Sequence, residues 1–227
     1  MRVVVLSGAG ISAESGLRTF RDSDGLWEHY RVADVATPEA WARNPELVLR
    51  FYDERRAQVL NAQPNAAHLS LARLEEVHNV QVVTQNIDDL HERAGSTHVL
   101  HLHGEILKAR STADPAIVTP MNGPSLTLGS RCPLGSQLRP HIVWFGEEVP
   151  LLPEAYTITS RADVLLVIGT SLNVYPAAGL IHAARPEVPV HLVDPGEVVV
   201  SRPGVRHWRA RATQAVPDLV EMLYQQP

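Results

Sequence analysis

The residues equipped for chemistry fall in a glycine loop and four polar motifs. Gly8-Ala9-Gly10-Ile11-Ser12-Ala13 comes directly after the apolar run 3–6. Gly8, Gly10 and Ala13 fit a Gly-x-Gly-x-x-Gly/Ala pattern. Small residues there let the main chain turn tightly, approach a pyrophosphate and pack a helix on a strand. Amide groups at such a helix start face the anion. Gln85-Asn86-Ile87-Asp88 follows the run 80–84, and His101-Leu102-His103-Gly104-Glu105 closes the run 99–103. Gly169-Thr170-Ser171 follows 164–168, and Asp194-Pro195 follows 190–193. Polar groups at the carboxyl ends of parallel strands are ligand contacts in folds of this kind. Asn86 or Asp88 alone would serve as well to cap the next helix. Four such motifs in strand order favour a site. Histidine is suited to proton abstraction near neutral pH because its ordinary pKa is about 6.5. His101 and His103, two residues apart, share one face of a strand.

The elements that must position these groups alternate along the chain. Runs 3–6, 80–84, 99–103, 164–168 and 190–193 are short and rich in Val, Ile and Leu. Such runs belong to a parallel sheet covered on both faces. Helices are expected over 45–61, 65–77, 152–160, 177–184 and 216–224, with Asn65 capping the second. This alternation implies an α/β fold, a Rossmann-like doubly wound parallel sheet with right-handed crossovers. Two segments interrupt it. Residues 22–61 read as mostly helical and rich in aromatics. Residues 105–141 carry five prolines and three glycines, which favour turns and short irregular strands. The expected division is a main domain of 1–21, 62–104 and 142–227, with a small domain from 22–61 and 105–141. The crevice between them would hold the ligand.

The 227 residues suffice for one large domain with a satellite. A net charge of −5 does not suit a nucleic-acid surface. No apolar run approaches the roughly 18 residues that span a bilayer. The N-terminus lacks the pattern of a signal peptide. With a single cysteine, Cys132, the chain is expected to be cytoplasmic, with no disulfide framework and no membrane partner.

The run from Gly8 through Phe20, Arg21, Gly25, Leu26 and Trp27, with Gln85-Asn86-Ile87-Asp88, His103-Gly104-Glu105 and Gly169-Thr170-Ser171, resembles the sirtuins over nearly the whole chain. Sirtuins are NAD-dependent protein-lysine deacylases. The resemblance implies NAD as co-substrate, acylated-lysine proteins or peptides as partners, and nicotinamide, free lysine and O-acyl-ADP-ribose as products. It implies that the loop with Gly8, Ala9, Gly10, Ser12, Phe20, Arg21 and Trp27 holds the pyrophosphate and shields the nicotinamide ribose. Gln85, Asn86, Ile87 and Asp88 would order the nicotinamide end, with Asn86 and Asp88 serving catalysis. Gly169, Thr170 and Ser171 would contact the phosphates or the adenosine side. Leu192, Val193 and Asp194 would border the adenosine, and Ala212 would flank the adenine. His103 matches the family's catalytic histidine and would take a proton from a ribose hydroxyl. A mono-ADP-ribosyltransferase and a non-catalytic module binding NAD and acyl-lysine are the alternatives. Residues 28–41 do not read as the second strand that carries the acidic ribose ligand of a dehydrogenase.

Residues 140–147 resemble the segment that pairs with substrate main chain, which places Val143, Trp144, Phe145 and Gly146 against the peptide. Tyr52 and Arg55 are spaced to share a helix face. In some sirtuins a Tyr-x-x-Arg pair here recognises acidic acyl groups such as succinyl or malonyl, where an arginine fork suits a carboxylate. The alternative is a half-buried tyrosine beside a solvated arginine. Most sirtuins also hold a structural zinc on two Cys-x-x-Cys pairs. Here Ser111 stands where the first cysteine is expected, and Cys132 is the single thiol. Zinc is not expected, since such a site needs four ligands. A mixed site with Asp114 has no spacing to support it, and the prolines of 115–140 would compensate by restricting the unfolded chain.

Overall fold

In the computed structural model the described residues are 1–17, 30–121 and 123–226, with the main chain of 26–27. Six strands form one sheet: β1 (Arg2–Ser7), β4 (Asn79–Thr84), β5 (Val99–His101), β9 (Val164–Ile168), β10 (Val190–Val193) and β11 (Val205–Trp208). Their order is β11-β10-β9-β1-β4-β5, and all neighbours are parallel. Counting outward from β1, this is the doubly wound order, whose topological switch lies between β1 and β9.

The sheet is apolar on both faces because its strands are apolar at odd and even positions alike. On one face Val3, Val5, Val80, Val82 and Leu166 pack under α4 (Ala66–Leu74) and α7 (Ala212–Tyr224). On the other Val4, Leu6, Leu165 and Val167 meet Ala155 of α6 (Leu152–Ser160) and Leu180 and Ile181 of the 3₁₀ helix Ala177–His182. A third cluster joins helices α1 (Val32–Val35), α2 (Pro38–Arg43) and α3 (Pro45–Asn61) to β6 (Gly104–Ser111) and β8 (Leu138–Ile142) through Val35, Phe51, Tyr52, Ile106, Ile142 and Trp144. β6 pairs antiparallel with β8 and with β7 (Val118–Pro120). The two-residue strands β2 (Leu26–Trp27) and β3 (Tyr30–Arg31) pair antiparallel, and α5 (Leu90–Ala94) follows β4.

Caps explain the clearest boundaries. Asn44 accepts from the Leu47 amide and Pro45 opens α3, so the helix starts where expected. Asn65 caps α4 by accepting from Ala67, and His68 accepts from the Asn65 amide in return. The expected helix 65–77 stops at Leu74, and the chain then turns into β4. The strand 99–103 stops at His101, since Leu102 and His103 turn away from the sheet. The helix 177–184 is a 3₁₀ helix ending at His182. α7 begins four residues before 216 and carries Pro217 inside it, at the loss of one main-chain bond. β11 was not anticipated, because Val205-Arg206-His207-Trp208 puts two polar residues between its apolar ends and shows neither a continuous apolar run nor an alternation.

Candidate active site

The loops after β1 and β9 meet main chain to main chain. Gly8 N–H donates to the Ile168 carbonyl at 3.0 Å and Gly10 N–H to the Gly169 carbonyl at 2.9 Å. A Cβ on Gly8 would lie 2.8 Å from the Gly169 oxygen, and one on Gly10 would lie 2.7 Å from Gly169 Cα. Gly169 itself has φ +64° and Ile11 N 2.3 Å from any added Cβ. The first requirement these glycines meet is therefore contact between the two loops at the switch point. The loop continues into two 3₁₀ turns, Ala9–Ile11 and Ala13–Ser15, and not into the expected α-helix.

The motif after β4 is tied to the same loop. Gln85 N–H donates to the Ser7 carbonyl, and Gln85 Nε2 lies 3.4 Å from the Thr170 hydroxyl. Asn86 Nδ2 donates to the Gly8 carbonyl at 3.2 Å and to Ser12 Oγ at 3.1 Å. Ser12 Oγ donates in turn to Asp88 Oδ2 at 3.1 Å. Asp88 Oδ1 also accepts from the Leu90 amide at the start of α5, whose N-cap position is held by Asp89, so one carboxylate serves both the helix entry and the network. Burial raises the Asp88 pKa, opposed by the Leu90 amide, the Ser12 hydroxyl and the charge of His101. Ile87 packs at the margin of the third core cluster.

His101 and His103 differ sharply in their bonds. His103 Nδ1 faces the Gln85 carbonyl at 3.1 Å. A carbonyl can only accept, so the neutral ring carries its proton on Nδ1 and its lone pair on Nε2. Burial lowers the His103 pKa, against the pull of that carbonyl, and keeps the ring neutral near pH 7. His101 faces the Asn86 carbonyl with Nδ1 at 3.0 Å and Glu92 Oε1 with Nε2 at 2.7 Å.

On the far side of the switch point, Thr170 Oγ1 accepts from the Leu172 amide and Asp194 Oδ1 from the Gly196 amide. Ser171 is half-buried. Leu192, Val193 and Ala212 are buried in the sheet cores, so only their main chains can border a ligand. Phe20, Arg21 and the Trp27 side chain lie outside the described residues. The loop is also tied to α7, whose Thr213 amide donates to Glu14 Oε2.

Tyr52 and Arg55 do share a face, and both are buried, at 0% and 6% exposure. That excludes a solvated arginine. The Tyr52 hydroxyl accepts from Trp144 Nε1 at 3.1 Å, and burial pushes its pKa well up, so the phenol keeps its proton. Arg55 Nη1 lies 3.4 Å from Gln58 Oε1. Trp144 is held by groups that the motifs did not reveal. Arg139 stacks 3.3 Å from its ring centroid, and Glu147 accepts from its amide and from Arg139 and Arg110. These charges sit at scattered positions, and no spacing signals them. In the segment 143–146, Val143 N–H donates to the His103 carbonyl and Phe145 N–H to the Ala36 carbonyl. A docked strand would draw on this segment's carbonyl oxygens instead. Phe145 is exposed, and Gly146 has φ +90°.

Ser111 and Cys132 do come together, with Ser136 as third member. Cys132 Sγ lies 3.3 Å from Ser111 Oγ and 3.1 Å from Ser136 Oγ, and the two hydroxyls are 2.7 Å apart. Asp114 Oδ1 instead accepts from the Ala116 amide. One thiol and two hydroxyls in mutual contact do not fit a zinc ion, which needs four nitrogen, sulfur or carboxylate ligands.

The sheet order, the interlocked glycine loops and the histidine beside them define a dinucleotide-handling α/β protein. The family model described as "Sir2 family" matches residues 8–176. A protein of Aggregatibacter actinomycetemcomitans called "NAD-dependent protein deacylase" is 56% identical over 85% of this chain and 92% of its own length. One of Helicobacter pylori with the same name is 50% identical over 97% and 96%. A solved Sir2 homologue–NAD complex superposes with TM-score 0.89 at 40% identity, covering 98% of this chain and 89% of that one. A Sir2 homologue mutant with ADP-ribose gives 0.91 at 39%, covering 100% and 94%. The chain belongs to the Sir2 family, the sirtuins.

Proposed function

We propose that this chain is an NAD-dependent protein-lysine deacylase that releases nicotinamide and O-acyl-ADP-ribose. One observation carries the reading: a neutral histidine, its lone pair on Nε2, stands beside an Asn86–Ser12–Asp88 network at the switch point. NAD, when bound, supplies a ribose carbon that becomes electrophilic as nicotinamide departs. The chain's own groups do the rest. His103 takes a proton from a ribose hydroxyl through Nε2. Asn86 and Asp88 order the nicotinamide end, and the glycine loops and Thr170 bear on the phosphates. Carbonyls of 143–146 hold an acylated-lysine peptide as an added strand. The buried Tyr52 hydroxyl and the Arg55 guanidinium favour a terminal carboxylate, which extends the acyl range to succinyl and malonyl. Bacterial relatives and a single thiol support a cytoplasmic setting.

Mass spectrometry of acetyl- and succinyl-lysine peptides incubated with NAD tests this. Loss of the acyl mass with nicotinamide release is expected. His103→Ala should abolish turnover and leave NAD binding intact. ADP-ribose added to the protein would instead make the chain a transferase, and binding without turnover would make it a reader of acyl-lysine.

A further inference from the structure

His101 is buried, with 7% of its side chain exposed, and lies two residues before the proposed base. Both of its ring nitrogens face groups that can only accept: the Asn86 carbonyl at 3.0 Å and the Glu92 carboxylate at 2.7 Å. A neutral imidazole has one N–H and can satisfy only one of them. The ring therefore carries both protons and a positive charge. Glu105 and Asp88 add negative charge nearby, whereas Lys108 is paired with Glu105 at 2.7 Å, and His91 on α5 is neutral. Burial opposes the charge, but the Glu92 hydrogen bond and charge, the Asn86 carbonyl and the charge of Glu105 together outweigh it and raise the His101 pKa.

The other end of this contact matters for the site. Asn86 is held at three points. Its amide donates to Thr84 Oγ1 at 3.0 Å, and its side chain donates to Gly8 and Ser12. Its carbonyl is held by His101. The imidazolium thus sets the peptide plane from which the Asn86 side chain projects, and Glu92 on α5 anchors the imidazolium. We propose that His101, held as a cation by Glu92, is a positioning residue that fixes the Asn86 carbonyl and so the geometry of the loop 85–88 toward the nicotinamide end of NAD. This rests on the deacylase reading above.

Two substitutions separate the two bonds of the ring. In His101→Asn the amide nitrogen takes the place of Nδ1 and still reaches the Asn86 carbonyl, but not Glu92. In His101→Gln the amide nitrogen takes the place of Nε2 and reaches Glu92, but not Asn86. Affinities for NAD and for ADP-ribose, which lacks nicotinamide, are measured by calorimetry on the full chain. Circular dichroism confirms that each variant is folded, and the kinetics of an acyl-lysine peptide give KM for NAD. His101→Gln should weaken NAD about tenfold, the loss of one buried hydrogen bond, and leave ADP-ribose unchanged. His101→Asn should stay within about threefold of the parent. In ¹⁵N NMR of the parent at pH 7, both His101 nitrogens should be protonated. Equal NAD affinity in His101→Gln and the parent would overturn the proposal, as would equal losses for both ligands or a neutral ring. If a variant fails to fold, the ring's protonation decides the matter: both nitrogens protonated in the parent, and one nitrogen without its proton at pH 7 in Glu92→Gln. A parent that binds no NAD removes the deacylase reading and this inference with it, a result none of the other outcomes resembles.

Discussion

His68 and His91 make the fold acid-sensitive in a way that one substitution can isolate. Both are buried, at 0% and 1% exposure, and their rings meet edge to face with centroids 5.0 Å apart. His91 Nε2 bonds Ser7 Oγ at 2.9 Å, and Ser7 Oγ donates to Thr84 Oγ1, so the pair lies directly beneath the ends of β1 and β4. Burial lowers the His68 pKa from its ordinary 6.5 to about 4 and pushes His91 well down too. A histidine whose folded pKa is depressed binds fewer protons folded than unfolded. Stability is then complete above about pH 6.5 and falls as pH drops toward 4. With a shift from 6.5 to about 4, His68 alone costs about 2 kcal/mol between pH 7 and pH 5. His101 works in the opposite direction, because its ring is charged in the fold and its contribution is lost as pH rises. His68→Gln removes the titration but keeps an acceptor at the third helical position, where the capping box needs one. Urea unfolding of parent and variant at pH 7 and pH 5 gives the two pH differences. The variant's loss should be smaller by about 2 kcal/mol. Equal losses in both proteins would refute the assignment to His68.

Arg55→Met should reduce desuccinylation at least tenfold more than deacetylation, the worth of a charge-assisted bond to the acyl carboxylate, as read from kcat/KM on matched peptides. Equal loss of both activities would make Arg55 structural. Gly10→Ala drives a methyl against Gly169 main chain and should lower stability by about 1–3 kcal/mol in thermal or urea unfolding, even without NAD present. An unchanged unfolding midpoint would show that the two loops do not touch in solution.

The sheet was legible because its signal is local. Five of its six strands are short runs dominated by Val, Leu and Ile and ending in or followed by ligand-type residues, the form expected of strands buried on both faces. The edge strand β11 escaped because Arg206 and His207 interrupt it, so neither an apolar run nor an alternation marks it. Glycine spacing located the first loop, yet it could not show that Gly8 and Gly10 answer to Gly169, some 160 residues away. The same limit applies at His101 and His103. The sequence puts both on one face of one run, whereas β5 ends at His101, and what separates base from cation is the carboxylate of Glu92, on another element. Tyr52 and Arg55 were visible as a helical pair. The Glu147–Arg139–Arg110 cluster that steadies Trp144 behind them was not, since charges brought together by tertiary contacts leave no periodic trace. Ser111 and Cys132 were read as remnants of a metal site, but their contact with Ser136 depends on the β6–β8 pairing and could not be read ahead of it.

The placement of β1 at the centre of the sheet has a consequence for how the protein is made. Its left and right neighbours are β4 and β9, so Val3 pairs with Val80 on one side and with Val164 on the other. A ribosome adding 5–20 residues per second needs roughly 10–30 s to pass from the first strand to the last of these partners. Until β4 is made both edges of the nascent strand lack a mate, and from then until β9 one edge does, open to pairing with other chains. Slowing translation between β4 and β9 should therefore lower the fraction of soluble product, as measured by pelleting the insoluble chain.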